Sequence, residues 1–276
     1  MTPLIFDVGR GSFVDGPGIR TVIFFKGCPL RCPWCQNPES QQPEAETRFD
    51  PKKCIGCGNC DTGCNSLARQ KVGEYYSPRK LARIILRDKI FYRTSLGGVT
   101  FSGGEPLMFI DYLYEVAALL APEKIHMAVE TCGYFDYEKL ETGLLPLLNL
   151  FLYDIKIMDP AVHERCTGKS NRPITRNLIR LLESGVEVEV RVPLIPGYTA
   201  TEENLSAAAG FFLEHGIKNY SFLSYNPSGL EKWEYLGKKP PGNLPAKPMT
   251  FEEEQRWGRY FREKMNPGFS ASPGEE

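Results

Sequence analysis

No stretch of this sequence is apolar for long enough to cross a bilayer. Its most apolar segment, Gly143 to Tyr153, is interrupted by Pro146 and Asn149 and falls far short of the ~20 residues a spanning helix needs. The first residues, Met1 to Asp7, lack the basic start and long apolar run of a secretory leader. Neither sign of charge is in surplus: the net is −1, with both signs interspersed. That gives nucleic acid or an anionic membrane no field to follow. Cysteine, by contrast, is plentiful. Seven of the nine lie in two tight clusters between Cys28 and Cys64. With 42% hydrophobic residues in 276, a core can form without disulfide staples. Clustered thiols in such a chain point to metal ligation. The expectation is a soluble cytoplasmic protein of one large domain, or one domain carrying a small insertion. Cys132 and Cys166 stand apart and read as buried thiols.

The chain is organised around Lys26 to Asn37, where Cys28, Cys32 and Cys35 stand at C-x3-C-x2-C spacing with no fourth cysteine or histidine close behind. Three thiolates from one loop can hold three corners of a [4Fe–4S] cube. Ferredoxin cubes take four cysteines, so three leave one iron open, as metal sites that do chemistry require. A zinc knuckle or buried thiols are the plainer readings of the spacing.

The loop, with aromatic Trp34 before its last cysteine, resembles the cluster loop of radical S-adenosylmethionine enzymes. Val14 to Arg20 (VDGPGIR) before it and Gln36 to Ser40 (QNPES) after it narrow the resemblance to the activating enzymes of glycyl radical enzymes, the pyruvate formate-lyase activating enzyme family. The resemblance runs from about Phe6 to about Gly237. It implies that the open iron chelates the amino and carboxylate groups of S-adenosylmethionine. The reduced cluster then passes one electron into the sulfonium, giving methionine and a 5′-deoxyadenosyl radical that removes a hydrogen from a backbone glycine of a partner enzyme. A flavodoxin or ferredoxin would be the reductant, and the protein a monomer with no nucleic-acid or membrane partner. Two rivals stand beside this reading: a radical enzyme acting on a small molecule or another macromolecule, and a ferredoxin-like electron carrier without catalysis.

Taken in order, Thr21 to Phe25 reads as a buried strand leading into the cysteine loop. From Pro38 to about Gly73 apolar periodicity disappears, which marks an insertion ordered by its metal rather than by a core. Ser77 and Pro78 open a helix. Strands then recur at 98–102, 126–130, 150–154, 187–192 and 219–223, with helices at 110–120, after Asp136, at 173–184, from the Thr201 cap to Gly216, and at 251–264. Six strands alternating with helices imply a parallel sheet, either open and doubly wound or a barrel. In the fifth strand Val186, Val188, Val190 and Val192 face one way, and Glu187, Glu189 and Arg191 the other. That charged stripe suggests a lumen holding a polar ligand, or else an edge strand with one wet face. The resemblance implies an α/β fold, an incomplete (β/α)6 TIM-like barrel with a small ferredoxin-like insertion. The expected division is 1–40 with 74–240 as the barrel, 41–73 as the insertion, and 241–276 as a C-terminal helix and tail.

In (β/α) barrels the chemistry sits at the C-terminal ends of the strands. Here those ends carry Ser102-Gly103-Gly104-Glu105, Glu130-Thr131, Asp154 with Lys156, and Arg191. Glycines let backbone approach a ligand closely, and Glu105 could accept from the ligand's ammonium. Asp154 and Lys156, two apart, share a face and read as an ion pair or, by the resemblance, as contacts to S-adenosylmethionine. Glu130 stands where the family pattern has an aspartate. The resemblance also implies backbone contacts to adenine around Trp34 and Gln36, with core packing as the other reading of Trp34. Arg191 could meet the ligand's carboxylate or ribose. Cys54, Cys57, Cys60 and Cys64 form a ferredoxin-type C-x2-C-x2-C-x3-C run, with Asn65 where proline usually follows. One such run predicts a single auxiliary [4Fe–4S] cluster on all four, either relaying electrons or purely structural.

Overall fold

The computed structural model describes residues 2–60 and 63–266. In chain order its strands are β1 (Ile5–Ser12), β2 (Arg20–Phe25), β3 (Glu46–Phe49), β4 (Arg69–Val72), β5 (Gly98–Gly103), β6 (His126–Thr131), β7 (Leu150–Asp154), β8 (Glu187–Leu194) and β9 (Tyr220–Ser224). β2, β5, β6, β7, β8 and β9 run parallel as successive neighbours. β1 adds antiparallel to the β2 edge, and β1 and β9 do not pair, so the barrel is incomplete. The six parallel strands are those expected from periodicity. β1 was not, because Asp7, Gly9 and Gly11 dilute its pattern and it is held largely by backbone pairing to β2.

The helices are α1 (Pro78–Leu86), α2 (Lys89–Ser95), α3 (Ile110–Leu120), α4 (Tyr137–Lys139), α5 (Pro160–Thr167), α6 (Arg172–Ser184), α7 (Glu202–Glu214), α8 (Ser228–Tyr235) and α9 (Phe251–Met265). Several begin where the sequence placed a cap: Ser77 Oγ accepts from Lys80 N–H at 3.3 Å, and Thr201 Oγ1 from Asn204 N–H at 3.2 Å. The helix expected after Asp136 is one short turn that widens to a π-helical turn over Leu140–Leu144 and tightens over Leu145–Leu147. Gly143 and Pro146, poor helix formers, lie in those turns. Residues 267–276, the tail of the expected C-terminal region, lie outside the described residues.

Between the sheet and its outer helices, Phe25, Phe101 and Phe151 bury completely with Leu113 and Val116 of α3. Each such side chain contributes roughly 1.5–3 kcal/mol. The fifth parallel strand, β8, lies between β7 and β9, which overturns the wet-edge reading. Its Arg191 is 4% exposed and turned into the lumen. Within 41–73 the paired β3 and β4 stand where no strand was expected, in antiparallel register from Glu46↔Val72 to Phe49↔Arg69. Glu46 is anchored by the fully buried Lys26 at 3.0 Å and by Lys238. Among the described residues no helix is long and apolar enough to cross a membrane.

Candidate functional site

A cavity of about 550 Å³ opens at the C-terminal ends of the parallel strands, within the usual range for small-molecule sites. Cys28, Cys32, Trp34, Cys35 and Gln36 line it from the loop after β2, and Ser102, Gly103 and Gly104 from the end of β5. Glu130, Thr131, Asp154, Lys156 and Arg191 complete the wall from β6, β7 and β8. The structure therefore brings together every candidate of the barrel site except Glu105.

The cysteine loop is tied down by backbone. Gly27 N–H donates to Ser40 O at 2.6 Å, Cys28 N–H to Gln41 O at 3.3 Å, and Arg31 N–H to Thr167 O at 2.8 Å. The Gly-Gly turn explains itself sterically. Gly103 has φ +106°, and a Cβ on Gly104 would lie 2.1 Å from Gly27 O. The turn thus packs its backbone directly on the start of the cysteine loop.

Glu105 departs from the ammonium-acceptor expectation. Its side chain is fully buried behind the cavity, where it accepts from Thr131 Oγ1 at 2.8 Å, Cys132 N–H at 2.7 Å and Leu107 N–H at 3.0 Å. A buried carboxylate needs such donors. Here it joins the turn after β5 to the end of β6, while burial raises its pKa. The next residue is one the sequence reading assigned only to packing. The Cys132 thiol lines the cavity and hydrogen-bonds the Cys28 sulfur, which holds Cys28 lower, whereas burial raises Cys32 and pushes Cys35 up to about 11. Its place one residue past a strand end was the available signal. Tyr225 and Asn226, beyond β9, also line the wall.

Charges in the lumen are paired but not saturated. Lys156 Nζ meets Asp154 Oδ2 at 2.8 Å; burial works against the ammonium, but Asp154 and the nearby thiols keep its pKa raised. Arg191 donates to Glu130 Oε1 through Nη1 at 3.1 Å and Nη2 at 2.9 Å, and Ser102 Oγ donates to Glu130 Oε2. Glu130 is raised by burial, with Arg191 opposing. Asp154 Oδ1 and Arg191 Nε are buried without a hydrogen-bond partner. Buried polar atoms of that kind call for one. An acceptor and a donor, open beside three thiols and a glycine backbone, fit a zwitterionic amino acid chelated to a thiolate-held cluster. Trp34 is 6% exposed, with its ring centroid 5.1 Å from that of Tyr198, so it packs and lines the cavity at once.

The second cysteine set is differently placed. Cys54, Cys57 and Cys60 are exposed, and Cys64 is half-buried with its sulfur accepting from Arg69 N–H at 3.4 Å. Among the described residues no three His, Cys, Asp or Glu side chains converge as a single-ion site. Cys166 is half-buried against the core.

Residues 22–207 match the radical SAM superfamily. The chain is 41% identical over 241 residues to the pyruvate formate-lyase 2-activating enzyme of Escherichia coli, covering 85% of this chain and 81% of that protein. It is 37% identical over 287 residues to the trans-4-hydroxy-L-proline dehydratase activating enzyme of Clostridioides difficile, covering 92% and 95%. Its fold is similar to that of a radical SAM methyltransferase from Sphaerobacter thermophilus, with a TM-score of 0.52 at 16% identity over 96% of this chain and 75% of that one.

Proposed function

The chain belongs to the radical SAM superfamily and, within it, to the activating enzymes of glycyl radical enzymes, and from that premise we propose that it installs a glycyl radical in a partner enzyme using the cavity at the strand ends. The observation that carries this reading is the meeting of Cys28, Cys32 and Cys35 with Asp154, Lys156, Glu130 and Arg191 around one 550 Å³ space. When bound, a reduced [4Fe–4S] cluster with S-adenosylmethionine supplies the electron and the adenosyl group that take the hydrogen from the partner's glycine.

The chain's own residues hold and orient. Cys28, Cys32 and Cys35 would hold the cluster, whose three-thiolate ligation would leave room for the methionine end of the ligand. Gly103 and Gly104 offer backbone at close approach, and Ser102 steadies Glu130. The open Asp154 Oδ1 receives a donor, the ammonium or a ribose hydroxyl, and Arg191 Nε gives one back. Trp34 and Gln36 wall the adenine side, while Thr131 and Glu105 brace the end of β6. Arg191 and Lys156 sit in a largely buried wall, where their charges act at a lower dielectric than in water.

The 41–73 unit carries an auxiliary [4Fe–4S] cluster on Cys54, Cys57, Cys60 and Cys64, supported by their ferredoxin-type spacing. It relays electrons from a flavodoxin or ferredoxin to the barrel of 1–40 and 74–240. The protein acts as a monomer in the cytoplasm, where a reducing environment suits so many thiols. The test is EPR of the anaerobically reconstituted, reduced protein with and without S-adenosylmethionine. A [4Fe–4S]⁺ signal that shifts on addition is expected, and a signal indifferent to it would sink the reading.

A further inference from the structure

The helix that follows the last strand packs on the cysteine loop. At Gly229, in the first turn of α8, a Cβ would lie 2.4 Å from the carbonyl oxygen of Cys35 and 3.2 Å from Gln36 Cα. The glycine is there for space, since its φ lies outside the left-handed range. Contacts on both sides hold the two segments together. Gln36 Nε2 donates to Asn226 O at 2.6 Å, Ser228 Oγ to Gln36 Oε1 at 2.9 Å, and Lys232 Nζ to Asn37 Oδ1 at 2.9 Å. Cys35 and Gln36 are also among the loop residues that line the cavity.

We propose that Gly229 is a positioning residue: by admitting α8 against the Cys35–Gln36 peptide, it fixes where the third thiol and the adjoining backbone stand relative to the cavity. This rests on the reading of Cys35 as a cluster ligand. Ordinary contact with a carbonyl begins near 3.4 Å, so any side chain at 229 must push the helix or the loop away by about 1 Å. A misplacement of that size beside reacting groups costs on the order of 100-fold in rate. The contacts of Gln36 and Asn37 give the brace a second anchor, which explains why the segment after β9 returns over the strand ends.

The test compares full-length Gly229→Ala with Gly210→Ala, a helical glycine whose added Cβ would meet nothing within 4 Å. Both are reconstituted anaerobically with iron and sulfide. The Gly229 variant is expected to keep its far-UV circular dichroism and bind iron. Its reduced-cluster EPR should respond differently to S-adenosylmethionine, with the Kd for that ligand raised on the order of tenfold. Gly210→Ala should match the unsubstituted protein. A Gly229→Ala variant with unaltered spectrum and affinity overturns the proposal. If that variant does not fold, Lys232→Met removes the contacts of this 38% exposed side chain with Asn37 and, at 3.3 Å, with Glu39 of the same loop end and is expected to weaken binding a few-fold; an unchanged Kd there overturns the proposal too. An unsubstituted protein whose signal ignores S-adenosylmethionine fails the reading beneath, and the proposal falls with it.

Discussion

Cys28, Cys32 and Cys35 sit in a loop whose backbone is bonded to Leu4, Ser40, Gln41 and Thr167, segments far apart in the chain. Cys54, Cys57 and Cys60 are exposed, and the backbone bonds nearest them, Cys54 N–H to Pro51 O and Leu67 N–H to Cys64 O, are local. The fold constrains the backbone that carries the first set, as the proposed open-site cluster would require. The cluster proposed for the second set would supply that set's geometry itself, since metal binding contributes folding energy.

The largest expected effect falls on the ordered set. Cys35→Ala should abolish formation of 5′-deoxyadenosine from S-adenosylmethionine; measurable turnover would show that the loop's geometry is not what holds the open site. Next comes Glu46, which joins the two regions by pairing with Lys26 of the loop and Lys238. Glu46→Gln leaves a fully buried lysine without its counter-ion and should cost roughly 3 kcal/mol, read from urea unfolding. The sign with pH follows. Burial opposes the Glu46 charge, but hydrogen bonds from Lys238 and Lys26 outweigh it and hold the carboxyl below its ordinary 4.5. The unfolded chain therefore binds the proton more readily. The stabilisation is complete above pH 4.5 and is lost as pH falls through the lower folded value. The variant's acid unfolding should lack that component. The smallest effect is expected from the double change Cys57→Ala with Cys60→Ala. In metal-free protein it should alter stability by less than about 0.5 kcal/mol. After reconstitution it should lose iron yet keep the EPR response to S-adenosylmethionine. Loss of that response would erase the contrast between the two sets.

What could be read from the sequence followed locality. The six parallel strands declared themselves by apolar runs, and the helix starts at Ser77 and Thr201 by cap chemistry within three residues, whereas β3 and β4 carry no such run. β1 escaped because its order comes from a neighbour rather than from its own pattern. The strand-end rule found the cavity residues, since alternation along a strand fixes which side chains point inward. It could not find that Glu105, one step past the Gly-Gly turn, swings behind the wall to gather three donors. Nor could it see that Gly229 exists for a carbonyl nearly two hundred residues away. Such contacts are set by how separate elements meet, which no window of sequence contains.

The four-residue pairing of β3 with β4 has one more consequence. By setting Glu46 opposite Val72, it brings the ends of the excursion between them together at the barrel's rim. The barrel then meets the excursion as a closed side branch, whatever its length. Loop-closure entropy grows only logarithmically, by about 0.6 kcal/mol for each doubling. The chain between Phe49 and Arg69 can therefore change its length at little entropic cost to the fold.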